Sequence, residues 1–270
     1  MVRHSIQIPQ LAPGDAFPPV TAALGPGSAA PGLLAFGGNL SAGTLQSAYR
    51  QGIFPWFSGD QPILWWSPDP RMALAPADFK LHRSLRRVLT KFSEDPGCEI
   101  RIDSAFAKVI AACATSARGT LRGAPHDHDA PGQGLANTWI VPAMVDAYTV
   151  MHRAGLAHSV ETWVRGELVG GLYCVAIGKA VFGESMFSHA TDSSKIALSA
   201  LVCFCRRQGI RLIDCQQNTG HLASLGAREM ARADFIAHLA RSTREAAPRW
   251  QFDTLYWQEL LKPPPLPTAS

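Results

Sequence analysis

Apolar and polar positions alternate most densely between Val160 and Gln216, and the elements predicted there set the class of the chain. Val160-Glu-Thr-Trp-Val164 alternates, Arg165-Gly-Glu167 turns, Leu168 to Ile177 is an apolar run of strand length, Gly178-Lys179 turns again, and Ala180 to Phe187 runs back. That succession predicts an antiparallel meander. Ser188 to Ser194 then offers helix caps, Ile196 to Gln208 is apolar on nearly every side like a buried helix, Gly209 ends it, and Ile210 to Gln216 is a further strand. A buried helix packed on a largely antiparallel sheet makes an α+β chain.

Because side chains alternate along a strand, Phe182, Glu184 and Met186 are expected on one face, and Leu212, Asp214 and Gln216 on one face of the next strand. Asp214 and Gln216 would then point the same way, ~7 Å apart at ~3.3 Å per residue. Carboxylates set among apolar neighbours are either satisfied by nearby backbone or have a partner or a task, and the pattern alone leaves both open.

Elsewhere the signals are sparser. Residues 10–32 carry Pro, Gly and Ala without periodicity, as an irregular arm does. Gly32 to Gly38 is a short apolar run whose final glycines lack the spacing of a phosphate loop, and Ser41 caps a helix that Gly52 terminates. Ile53-Phe-Pro-Trp-Phe57 and Ile63-Leu-Trp-Trp-Ser-Pro-Asp-Pro-Arg71 set three tryptophans among prolines, either as core filling or as flat platforms for a base or sugar. Phe79 to Lys91 gathers Lys80, His82, Arg83, Arg86, Arg87 and Lys91 around Leu81, Leu85 and Val88, which makes a basic helix face, either merely solvated or phosphate-binding. Ile102 to Thr115 is expected as helix after Asp103 or Ser104, and Arg118 to Asn137 as a loop. The loop's His126-Asp-His-Asp129 is too local to complete a coordination shell, so no metal is expected. A helix follows with Pro142 in its first turn and Met144, Tyr148 and Met151 on one stripe. His221 to Gly226 is expected as loop, Ala233 to Ala247 as a last helix, and Pro263 to Pro265 as a frayed end.

Composition narrows the class. With 270 residues, 47% apolar and 17% charged, the chain has material for one or two domains, and two are expected. A net charge of +4 is too mild to imply nucleic-acid binding by itself. Six cysteines without metal-type pairs, several inside apolar segments, suit a reducing cytoplasm. Met1 to Pro9 lacks an export signal's apolar core, and no segment reaches the ~20 apolar residues that cross a bilayer, so an unexported protein with no membrane role is expected.

Gly52-Ile-Phe-Pro-Trp-Phe57, Leu64-Trp-Trp-Ser-Pro-Asp-Pro-Arg71, Thr138-Trp-Ile140, Gly183-Glu-Ser-Met-Phe187, Leu212-Ile-Asp-Cys-Gln216 and Ala223-Ser-Leu-Gly-Ala227 together resemble the leucyl/phenylalanyl-tRNA-protein transferases. The resemblance runs from about Gly32 to Leu239. It implies a small N-terminal α/β domain, 1–70, packed on an acetyltransferase-like (GNAT-like) domain, 71–270, acting as a monomer without a cofactor. It also implies the activity: transfer of Leu or Phe, less readily Met, from aminoacyl-tRNA to an N-terminal Arg or Lys of a protein, marking that protein for N-end-rule degradation. By residue, it implies that Trp56 and Trp139 hold the terminal adenosine and that Leu172, Met186 and Ile213 line the amino-acid pocket. It makes Glu184, Asp214 and Gln216 the polar site, and Arg83, Arg86 and Arg87 the contact with the tRNA acceptor stem. Two departures stand out: the loop Arg118 to Gly134 is long, and Gln217-Asn-Thr-Gly220 differs from the family's usual residues.

An α-amine with pKa ~7.7–8.0 attacking an activated ester needs positioning more than a strong base. Gln216 is the expected orienting acceptor, with Asp214 accepting from its NH2 group, and Glu184 the expected partner of the acceptor's cation. Two rival classes remain. A coenzyme A-dependent acetyltransferase needs a pyrophosphate loop opening a helix, whereas the nearest match, Arg206-Arg-Gln-Gly-Ile-Arg211, closes one. A noncatalytic RNA or peptide binder has no use for Asp214 and Gln216.

Overall fold

The computed structural model of the protein describes residues 8–115 and 140–262. The chain begins with β1 (Gln10–Leu11), β2 (Leu33–Gly37), α1 (Ala42–Arg50), β3 (Phe54–Pro55) and β4 (Leu64–Trp66), whose strands form a small sheet in the order β1-β2-β4-β3. Ser41 starts α1 as expected, its Oγ accepting the Thr44 N–H at 3.2 Å. Trp65 is wholly buried and settles its own role as core.

At Arg71 the chain enters a second sheet. It comprises β5 (Arg71–Leu74), α2 (Arg83–Glu94), β6 (Cys98–Ile102), α3 (Phe106–Thr115), α4 (Pro142–Arg153), β7 (Ala157–Val164), β8 (Glu167–Ile177), β9 (Ala180–Ser188), α5 (Ser193–Gln208), β10 (Ile213–Gln216), α6 (Gly220–Ser224) and β11 (Arg228–Met230) with its intervening helices. The helices α7 (Arg232–Ser242) and α8 (Gln258–Leu261) follow. Strand order is β11-β5-β10-β9-β8-β7-β6, antiparallel throughout except where β10 runs parallel to β9 after the α5 crossover. The α+β expectation holds, and an antiparallel meander, a buried helix and a parallel strand follow one another.

Alternation along β8 divides the interior. Tyr173, Val175 and Ile177 face a core shared by α3, α4, α1 and the small sheet, while Leu172, Cys174 and Ala176 face a second core built on α5. The thiols behave as small hydrophobes: none of the six is in a disulfide, and burial pushes those of Cys174, Cys205 and Cys215 well up.

Several boundaries differ from expectation, each for a local reason. Ile102 ends strand β6 opposite Val160, because Cys98-Glu-Ile-Arg-Ile102 has a strand's alternation. The helix therefore starts at Phe106, after Glu161 has accepted the Ala105 N–H at 2.8 Å and the Ser104 hydroxyl. β10 begins only at Ile213, and residues 221–224 are helical because Thr219 caps α6. The last predicted helix stops at Ser242.

Each strand face was expected to run unbroken, and neither does. On β9, Tyr173 pairs with Ser185 but Cys174 with Gly183, so Glu184 is an extra, unpaired residue. Phe182 consequently faces the first core and Met186 packs on the second. On β10, Asp214 pairs with Ala73 and Gln216 with Met72, making Cys215 the extra residue and placing Asp214 and Gln216 on opposite faces.

Close helix-to-sheet contact rests on one glycine. A Cβ built on Gly170 would lie 2.2 Å from Ser193 Oγ, and that hydroxyl donates to the Val169 carbonyl at 2.8 Å where α5 meets β8. Gly170→Ala should destabilise the protein by ~1–3 kcal/mol through overpacking, seen as a lower urea midpoint with unchanged slope.

Candidate active site

β9 and β10 pair only at Val181 with Ile213 and Phe182 with Asp214. Beyond those rungs both strands bulge and part. The parting opens a cavity of about 370 Å³, walled by Leu172, Met186, Leu198, Leu201, Ile213 and Leu222, with Glu184, Asp214, Gln216 and Trp56 also on its lining. Seven residues expected in one site from distant motifs therefore meet in one space.

Asp214 is held by an arginine with no role assigned from sequence. Arg71 Nε and Nη2 donate to Asp214 Oδ1 and Oδ2 at 2.8 and 2.6 Å, and its Nη1 donates to the Gly52 carbonyl at 3.1 Å. Both side chains are withdrawn from water, and the guanidinium lies between the Phe54 and Phe235 rings at 4.7 Å from each centroid. Asp214 Oδ1 also accepts the backbone N–H of Gln216 at 2.9 Å. The expected bond from the Gln216 NH2 to Asp214 is thus absent. Asp214 acts on Gln216 through the main chain, holding a turn in which Gln216 has φ +62° and Gln217 N–H reaches back to the Cys215 carbonyl at 2.7 Å.

The Gln216 NH2 instead donates to Glu184 Oε1 at 3.0 Å. Glu184 also accepts from the Tyr49 hydroxyl at 2.8 Å and the Tyr148 hydroxyl at 3.3 Å, and the two tyrosines are hydrogen-bonded to each other. Burial raises the Glu184 carboxyl from its ordinary 4.5 to about 8, against the lowering by the tyrosine bonds. Burial and the carboxyl's charge push both phenols well above their usual range, so they stay protonated as donors. With its amide nitrogen committed, Gln216 has its side-chain oxygen to offer the cavity. Cys215 lines the wall too, but its buried thiol is no thiolate at neutral pH.

Trp56 stands at the cavity's edge, 38% exposed, its ring 5.6 Å from that of Trp66, whose Nε1 donates to the Trp56 carbonyl at 2.7 Å. Trp139 and His126-Asp-His-Asp129 lie outside the described residues. Arg83, Arg86 and Arg87 sit on the first turns of α2, away from the polar site. His82 Nε2 nevertheless meets the Ser224 carbonyl at 2.8 Å, which fixes this basic end beside α6, whose His221 and Leu222 line the cavity. Arg86 is partly committed, donating to the Leu260 carbonyl at 3.1 Å.

Arg71, Tyr49, Tyr148, Leu198, Leu201 and Leu222 were missed as site residues. The tyrosines carried a signal, since a phenol on an apolar helix stripe needs a polar partner. Arg206 spends its guanidinium on the Pro76 and Glu259 carbonyls at the C-terminal end of α5, which removes the nearest match to a pyrophosphate loop.

In the cavity an apolar wall ends at an oriented amide and at a buried carboxyl whose pKa burial raises to about 8. Residues 73–240 match the family described as leucyl/phenylalanyl-tRNA protein transferase, and residues 38–69 match its N-terminal domain. A leucyl/phenylalanyl-tRNA-protein transferase of Polaromonas sp. is 59% identical over 254 residues, 94% of each chain. Those of Albidiferax ferrireducens and Burkholderia vietnamiensis are 57% and 53% identical, covering 97% and 91% of each chain. The chain belongs to the leucyl/phenylalanyl-tRNA-protein transferase family and is an aminoacyltransferase. Among solved structures, a GCN5-related N-acetyltransferase from Kribbella flavida aligns over 70% of this chain and 61% of its own, at TM-score 0.32 and 13% identity.

Two outcomes follow from this geometry. Arg71→Met or Asp214→Asn should each lower stability by ~3–5 kcal/mol, because each leaves a buried group without its counter-ion or donor, whereas Arg71→Met with Asp214→Leu should lose much less than the two single losses combined. Denaturant midpoints for the four proteins measure this. Glu184 binds a proton in the folded state that the unfolded chain has released between about 4.5 and about 8, so its contribution to stability falls as pH rises through that window. Glu184→Gln should therefore gain melting temperature relative to wild type from pH 5 to 8.5, and parallel curves would show the carboxyl to be ordinary.

Proposed function

We propose that the cavity receives the apolar side chain of Leu, Phe or Met esterified to tRNA, and that the acceptor's α-amine is presented to the ester between Gln216 and Glu184. The family's donor is aminoacyl-tRNA and its acceptor a protein; transfer goes to an N-terminal Arg or Lys. The observation that carries the assignment is the junction of the apolar wall with the Gln216–Glu184 hydrogen bond.

In the reaction the amine nitrogen bonds to the ester carbonyl carbon, the bond from that carbon to the ribose oxygen breaks, and a proton passes from nitrogen to the departing oxygen. Gln216 Oε1 accepts from the amine and orients its lone pair, since an amide oxygen accepts hydrogen bonds without holding a proton. Glu184, at about 8, titrates beside a protein α-amine at ~7.7–8.0, so a proton moves between them at little cost. Asp214 is a positioning residue, through the Gln216 backbone.

Trp56 offers the exposed face on which the terminal adenine stacks, with Trp139 its proposed partner. Arg83 and Arg87 supply phosphate contacts. Their placement supports this: three arginines open α2 with no acid in its first turn and no side-chain cap, an arrangement that works against the helix dipole and leaves N–H groups free for an anion. Charged tRNA and six cysteines outside any disulfide both suit the cytoplasm, and no helix among the described residues is long and apolar enough to cross a membrane.

The test is transfer from tRNA charged with Leu, Phe, Met or Asp to an Arg-starting peptide. Leu, Phe and Met should transfer and Asp should not, because the wall offers a charge no partner. Gln216→Asn, which tolerates the left-handed backbone but withdraws the amide, should lower turnover roughly a hundredfold with an unmoved thermal transition. Equal use of Leu and Asp, or normal turnover in Q216N, would sink this assignment.

A further inference from the structure

The acceptor's N-terminal residue brings a second positive charge, on its side chain, and the deep carboxylates are taken. Glu184 already accepts from Tyr49, Tyr148 and Gln216, and Asp214 is doubly bound by Arg71. At the start of α5, Asp192 is paired with Lys195 at 2.7 Å. The sheet register points elsewhere. Met72 of β5 pairs on one side with Gln216 and on the other with Glu229 of β11, so the two lie on one rung, on the face that Met72 turns to the second core. Alternation sends Arg228 to the opposite face. Two inter-strand steps put the Gln216 and Glu229 backbones ~10 Å apart. An extended arginine or lysine side chain, met part-way by that of Glu229, bridges this span while its α-amine stays at Gln216.

The carboxylate is also aimed. Asn218 Nδ2 donates to Glu229 Oε1 at 2.9 Å, and Asn218 lies between Gln217 and Thr219, both on the cavity's lining. Glu229 and Asn218 are solvent-exposed, open to a peptide arriving from water.

We infer that Glu229, steered by Asn218, is the subsite for the cationic side chain of the acceptor's N-terminal residue. This rests on the transfer reaction proposed above. With one oxygen engaged by Asn218, the other meets a cation singly, as a point charge does. The two-pronged pairing that would favour arginine is denied, and lysine serves as well.

Glu229→Gln should raise the acceptor KM for Arg-starting and Lys-starting peptides alike by about two- to fivefold, the reach of a solvent-screened ion pair. Glu229→Lys should raise it about tenfold or more by adding repulsion. Donor KM, turnover at saturating peptide and the thermal transition should stay at wild-type values, and the gap between wild type and E229Q should shrink as salt is added. Acceptor KM unchanged in both variants while wild type transfers normally overturns the subsite alone. Absence of transfer by wild type removes the reaction on which it rests.

Discussion

The buried pair of Arg71 and Asp214 is the constraint on which the rest depends. Arg71 opens β5, Asp214 lies in β10, the Gly52 carbonyl follows α1, and Phe54 and Phe235 press on the guanidinium from β3 and α7. One ion thus ties the small sheet, two strands of the large one and a late helix. A buried pair adds little stability over apolar replacements, but losing either member is severe, so it acts less as glue than as a condition on how these parts may meet. The condition reaches the site because Asp214 also takes the Gln216 N–H and sets the direction of that side chain.

The site itself is made by two extra residues. Glu184 on β9 and Cys215 on β10 are extra residues just where the pairing of these two strands ends, beside the wall lined by Leu172, Met186 and Ile213. The same insertions rotate the chemistry: Asp214 turns to the arginine, Gln216 to the cavity, and Glu184 leaves the ladder to meet two phenols. Bulges commonly re-aim side chains beside sites, and here they create both the space and its polar end.

This explains what was legible in the sequence. The meander, α5 and the helix bearing Tyr148 were read from periods of two and 3.6 residues, since burial enforces those periods over long runs. That Trp56, Glu184, Asp214 and Gln216 belong together was implied by the family resemblance, since their local pattern left a structural reading open, and they do line one cavity. Which groups touch was not. An alternating pattern carries no mark of a one-residue insertion, so Asp214 and Gln216 were placed on one face and their side chains joined. Arg71, 143 residues from Asp214, has no local signal for its partner. β6 was missed because its alternation spans only five residues, none of them fully buried.

What remains is why so polar a structure is kept at the end of an apolar pocket. Glu184 is held away from its ordinary charged form, and Gln216 is held at positive φ, a conformation that disfavours its side chain. In the reaction proposed above, the nucleophile is an amine with pKa ~7.7–8.0, and there a carboxyl raised into the same range would exchange a proton with it while an amide, which cannot titrate, would fix its approach. Under that proposal the raised carboxyl and the left-handed turn act as one device, in which peptide-bond formation runs on positioning and a matched proton.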